Sequence, residues 1–159
     1  MLSLGGSRKT EDVDIAVTAE TLDAFQEAAI LDPRFSQDVM LSWTYTGNTP
    51  ETRGITVTLE FLAMGGGFVP EIRAARPIAL GGFRAGLAEL IVMKARTLDS
   101  RDEARDARDL RFLLEKMEGS DENFRDVELE EEDQEIMEDM VRRLGGRYPA
   151  LLQTLLHRT

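Results

Sequence analysis

Two short stretches of this chain change character at every second residue, and a chain that does so must build a sheet with one buried face. Side chains alternate sides along a strand. In Asp12-Val13-Asp14-Ile15-Ala16-Val17, the two valines and the isoleucine share one side and both aspartates the other. Gly54 to Leu62 repeats the pattern, with Ile55, Val57, Leu59 and Phe61 on one face and Thr56, Thr58, Glu60 and Leu62 on the other. The apolar sides are expected to meet a core. The polar sides carry Asp12 and Asp14, roughly 7 Å apart along their strand, and Glu60. Carboxylates held side by side repel unless a cation lies between them, and Mg²⁺ takes a few carboxylates together with phosphate oxygens. Asp-x-Asp is also what a solvated strand end looks like. If the two strands pair with their polar faces aligned, three carboxylates converge on one point. Otherwise Glu60 is an edge-strand glutamate in water, and the residues alone leave both readings open.

The remaining pattern alternates strands with helices. Thr18 is a suitable N-cap for a helix over Ala19 to Ile30, in which Leu22, Phe25, Ala29 and Ile30 form an apolar stripe that Asp32-Pro33 ends. Val39 to Thr46 reads as a strand with Trp43 and Tyr45, followed by the turn Gly47-Asn48-Thr49-Pro50. Met64-Gly65-Gly66-Gly67 reads as a plain turn, since neither a Lys-Ser pair nor a GxGxxG pattern accompanies it. A short strand is expected near Ile78 to Leu80. Helices follow over Leu87 to Leu98 and Arg101 to Met117, the second with Asp102, Arg105, Asp106, Arg108, Asp109 and Arg111 on its exposed side. Lys94 interrupts the apolar face of the first, so it either snorkels to water or turns its charge on a buried acid or a phosphate. Glu131 to Leu144 is an acidic amphipathic helix stopped by Gly145-Gly146, and Pro149 opens a last short helix.

A chain of 159 residues suffices for one domain with a real core. It has no cysteine, which excludes disulfides and thiolate metal sites and fits a reducing compartment. The sole histidine, His157, gives no support to a catalytic triad or a histidine-based metal site. No signal-like segment opens the chain and no apolar run has membrane-spanning length, so a soluble, cytoplasmic protein without a membrane partner is expected. The net charge of −11 is concentrated in one place. Residues 118–139 hold twelve acidic residues and one arginine, while the rest of the chain holds eighteen of each sign. Such a run reads as a solvated linker and helix face, and it argues against non-specific nucleic-acid binding.

The order of these segments resembles a known family. Arg8-x-Thr10-x-Asp12-x-Asp14 before an apolar run is similar to the R-x-T-x-D-x-D segment of small nucleotidyltransferases of the polymerase-β superfamily, in particular the AbiEii-toxin and minimal (MNT-like) groups. Ile55 to Leu62 stands where those proteins carry a strand with the third carboxylate. Leu90 to Leu98, with Arg101, Arg105-Asp106 and Asp109-Leu110, resembles their L-x-x-x-K-x-x-A-L…R…(K/R)-D-x-x-D-L region. The chain departs from the family in two respects. The usual Gly-Gly or Gly-Ser turn on an earlier strand and helix is replaced by Leu4-Gly5-Gly6-Ser7 alone, and the third carboxylate is glutamate where aspartate is common.

The resemblance implies an α+β fold: a nucleotidyltransferase-like mixed sheet flanked by helices, with further C-terminal helices. Residues 1–118 would be the core, lacking the usual first strand and helix. Residues 119–159 would be an acidic linker and helices packed on that core within one domain. The activity implied is transfer of NMP from an NTP such as ATP to a hydroxyl of tRNA, another RNA or a protein, with Mg²⁺ or Mn²⁺ as cofactor. Asp12 and Asp14 would hold the metal at the triphosphate, and Glu60 a second one at the nucleophile, where Glu60 or a metal-bound water would accept a proton. Ser7, Arg8 and Lys94 would contact the nucleotide; alternatively Arg8 pairs with Asp12, and Lys94 snorkels. The missing turn favours a catalytically inactive scaffold for nucleotide or protein binding and admits completion by a second copy or another chain. The acidic segment offers a further alternative, a regulatory role in which residues 118–139 bind a basic protein.

Overall fold

A computed structural model describes residues 12–39, 42–65, 69, 72, 75–77 and 83–158. They divide into two compact units, one ending at residue 69 and the other following it. The first unit contains β1 (Asp12–Val17), α1 (Ala19–Ile30), β2 (Phe35–Gln37), β3 (Trp43–Thr46) and β4 (Thr56–Ala63). The strands form one mixed sheet in the order β1-β4-β3-β2, with β1 parallel to β4 and the other pairs antiparallel. Thr18 caps α1 through its hydroxyl, which accepts from the Thr21 amide at 3.2 Å. Phe25 pins the helix to the sheet. Its ring lies 5.5 Å from Phe35, 5.4 Å from Trp43 and 4.6 Å from Phe61, centroid to centroid, within the range of favourable edge and tilted contacts.

Among the described residues the strand expected over 39–46 is confined to β3, and a separate strand, β2, lies before that span. Asp38 accepts a hydrogen bond from the Ser42 amide and donates its own amide to the Ser42 carbonyl. That closes a turn, leaves Val39 fully exposed, and pairs Phe35 with Tyr45. The apolar side of β1 is also less deeply buried than its pattern implies: Val17 is buried, Ile15 half-buried, and Val13 remains 45% exposed.

The second unit contains a two-stranded ladder of β5 (Arg76–Pro77) and β6 (Phe83–Arg84), then α2 (Leu87–Arg101), α3 (Ala104–Glu118), a 3₁₀ turn (Phe124–Asp126), α4 (Glu131–Leu144) and α5 (Tyr148–Leu156). The strand expected near Ile78 to Leu80 lies outside the described residues. Helix α2 packs on α3 and α4, and α5 packs on the same two helices. Ile91, Leu110, Leu113, Leu114, Met137 and Met140 are buried at the centre. The whole is an α+β fold. Its compact units divide at residue 69, and within the second α2 and α3 share their core with α4 and α5. Among the described residues no helix is long and apolar enough to cross a membrane.

The start of α2 is fixed by two acids from different places. Glu89 reaches back one turn, and its carboxylate accepts from the Gly86 amide at 2.7 Å. Glu122, from the loop after α3, accepts from the Leu87 amide at 2.7 Å and is clamped by Arg84 at 2.5 Å, with Arg76 at 3.7 Å. A carboxylate belongs there, because a helix N-terminus offers unsatisfied N–H groups and a partial positive charge. Burial alone pushes the Glu122 carboxyl up. The Arg84 hydrogen bond, the Leu87 amide and the charges of Arg84 and Arg76 more than reverse this, holding it below the ordinary carboxylate range. A carboxyl lowered on folding stabilises the protein above its unfolded pKa, and that contribution disappears as pH falls through the folded value. Glu122→Gln is therefore expected to cost about 1.5–3 kcal/mol at pH 7. It should also flatten the loss of stability on acidification below about pH 4.5, as read by urea unfolding across that range.

Candidate functional site

The parallel ladder between β1 and β4 determines what the three sheet carboxylates can do together. Asp14 stands directly opposite Glu60, and Asp12 opposite Thr58. Opposed residues on neighbouring strands share a face, with backbones about 4.8 Å apart. Asp12, Asp14 and Glu60 thus lie on one face of adjacent strands, away from the side that Phe25 covers. The same row continues across the sheet in hydroxyls: Thr58 faces Thr44, and Thr44 faces Ser36. Asp14 and Glu60 are exposed and Asp12 half-buried, so two of the three are free to turn toward a common point.

These are oxygen donors of the type a hard divalent cation prefers. Mg²⁺ usually takes only one or two protein carboxylates and completes its shell with water and phosphate, so the Asp14–Glu60 pair with Asp12 beside it fits that requirement. In the arrangement seen, no three His, Cys, Asp or Glu side chains among the described residues are gathered closely enough to enclose an ion. The backbone therefore supplies placement, and rotation of exposed side chains would supply closure. Ser7 and Arg8, the other candidates near the first aspartate, lie outside the described residues.

Lys94 belongs to the second unit, where it resolves the choice posed by its place on an apolar face. Its Nζ lies 3.2 Å from Asp106 Oδ1 and 3.6 Å from Asp109 Oδ2. The Asp106 side chain is only 3% exposed and Lys94 26%. The second oxygen of Asp106 is buried and has no hydrogen-bond partner among the described residues. Asp106 and Asp109 therefore do not belong to the exposed side of α3 assigned from sequence. The signal was present in the spacing, since Asp106, Leu110, Leu113, Leu114 and Met117 fall on one helical stripe. Asp133 behaves alike. It shares a stripe with Met137, Met140 and Val141, is buried, and receives Arg96 Nε at 2.6 Å. Two acids within residues 118–139, Glu122 and Asp133, are thus internal anions and not solvated charges.

No model of a known protein family matches this sequence, and no curated protein matches it.

The Lys94–Asp106 contact can be weighed directly. A double-mutant cycle with Lys94→Met and Asp106→Asn is expected to give a coupling of about 0.5–3 kcal/mol in unfolding free energy. Coupling indistinguishable from zero would mean that the lysine charge is directed elsewhere in solution.

Proposed function

We propose that this chain carries a metal-dependent nucleotidyl-transfer site, moving a nucleoside monophosphate from an NTP to a hydroxyl of RNA or of a protein. The observation that supports this most is the register that sets Asp14 against Glu60 with Asp12 on the same face. Asp12 and Asp14 hold the cation side of the triphosphate. Glu60 completes the carboxylate set and accepts the proton of the attacking hydroxyl. As the hydroxyl oxygen bonds to the α-phosphorus, the bond to the bridging oxygen breaks and pyrophosphate leaves. A bound Mg²⁺ or Mn²⁺ would supply neutralisation of the phosphate charge. The lack of cysteine accords with the reducing cytoplasm, where such substrates are available.

A second reading is that the chain is an inactive scaffold of the same type that binds a nucleotide or a protein. It draws on Lys94, the lysine the resemblance assigns to phosphate, which is already engaged by Asp106 and Asp109. Calorimetric titration of ATP and CTP, with and without Mg²⁺, separates the first reading from a scaffold that binds only protein, and release of pyrophosphate from the bound NTP separates it from a scaffold that binds nucleotide. Wild type is expected to bind in a metal-dependent way, and Asp12→Asn/Asp14→Asn to lose at least about tenfold in affinity, or ~1.4 kcal/mol. The double variant should stay folded and be at least as stable, since two crowded charges are removed. Nucleotide binding by wild type that ignores both the metal and these substitutions would move the site off the sheet. No binding at all would favour a scaffold that binds a protein.

A further inference from the structure

The second unit has a small depression of mixed character that plays no part in the sheet site. The loop after the 3₁₀ turn, the start of α4 and the end of α5 enclose about 240 Å³. Phe124, Val127, Leu129 and Leu156 form its apolar part. Arg125, Gln134, Gln153 and His157 form its polar part, with no carboxylate among them. A cavity of about 150 Å³ takes one benzene ring, and ordinary small-molecule sites begin at about 300 Å³. The space therefore suits one ring or a short branched chain together with a single polar head.

Arg125 defines that head. It is the one basic residue of 118–139, a stretch with twelve acids. Every later arginine is already engaged: Arg142 and Arg143 by Asp139, Arg147 by Glu118, and Arg158 by the carbonyls of Met117, Glu118 and Ser120. Among the described residues the Arg125 side chain has no such partner, although carboxylates surround it in the sequence. Its guanidinium stays charged at physiological pH and offers five donors. His157 and Gln153 line the same space, are exposed, and bring further N–H groups whose partners are likewise absent among the described residues. Gln134 donates to Glu138 Oε1 at 2.9 Å and is held in place by it. An apolar floor beside three unengaged donors, one of them cationic, is complementary to a carboxylate carried on a hydrocarbon. The neighbouring charges set an upper limit. Glu128 and Glu130 are exposed on the loop that carries Val127 and Leu129, so a second negative charge on the ligand is repelled.

We propose that this depression binds a small monocarboxylate with a single ring or a branched tail. The carboxylate meets Arg125, with His157 and Gln153 donating to it, and the tail packs on Phe124, Val127, Leu129 and Leu156. Nucleotides are too large for the space, and phosphate esters carry one charge too many.

The test uses the full chain, whose single histidine gives one imidazole signal and so an unambiguous NMR reporter at the depression. Phenylacetate is titrated beside benzyl alcohol, which keeps the ring without the charge, inorganic phosphate, and the peptide acetyl-Gly-Gly-Phe. Phenylacetate is expected to shift the His157 signal saturably with a Kd of about 1 mM or below, and benzyl alcohol and phosphate to bind at least about tenfold more weakly. Arg125→Gln, at an exposed position, should weaken phenylacetate by about tenfold or more and leave benzyl alcohol unchanged. Gln153→Trp, also at an exposed position, fills the space from its lining and should abolish binding. Equal affinity for phenylacetate and benzyl alcohol, a shift that does not saturate, or indifference to Arg125→Gln would overturn the proposal. Tighter binding of acetyl-Gly-Gly-Phe would assign the space to the C-terminus of a protein and overturn the small acid.

Discussion

A charge can be buried in a helix bundle only where an opposite group is waiting for it, and α2 meets that condition along its length. Its first amides are received by Glu122 and Glu89, Lys94 by Asp106 and Asp109, and Arg96 by Asp133. Buried pairs of this type add little net stability over apolar replacements. Their effect here is on choice of partner. Lys94 accepts only the face of α3 that presents Asp106, and Arg96 only the face of α4 that presents Asp133. A slipped or rotated packing would leave a largely buried acid without its cation, at a cost comparable to the loss of a whole leucine side chain. The apolar residues make the cluster compact, and the ion pairs decide which compact cluster it is.

Seen this way, the acidic stretch between α3 and α4 has two jobs that composition alone blends together. Glu122 and Asp133 are structural anions, each aimed inward at arginine. Glu128, Glu130 and Glu131 belong to the surface. A count of charges treats these alike. The periodicity of α4 separates them, because Asp133 falls in step with Met137, Met140 and Val141.

Where the physics is local, the chain was readable. The spans of β1, α1 and α4 agree with their capping residues and periodicities: Thr18 before α1, Asp32-Pro33 after it, and Gly145 after α4. The α+β class follows from the same signals. The β2–β3 hairpin is not evident in the sequence because β2 is only three residues long and its turn depends on Asp38 and Ser42, polar residues four apart with no glycine or proline between them. The polar faces of β1 and β4 were evident from alternation, but their mutual alignment was not. Register between distant strands depends on everything packed around them, and one residue of slip turns a whole face over. The inward acids of α3 and α4 were missed for a different reason: a charged residue on an apolar stripe looks like an exception until its partner on another helix is known.

The parallel pairing of β1 with β4 also has a kinetic meaning. The two strands are separated by all of α1, β2 and β3, so their ladder closes a long loop, and loop closure must be paid in entropy before the contacts return anything. The antiparallel hairpins β2–β3 and β3–β4 need only short closures, and α1 is local. Of the three strand pairings in this unit, the one that sets Asp14 beside Glu60 therefore carries the largest closure entropy. Until that ladder closes, the two carboxylates of Asp14 and Glu60 have no fixed neighbour in each other.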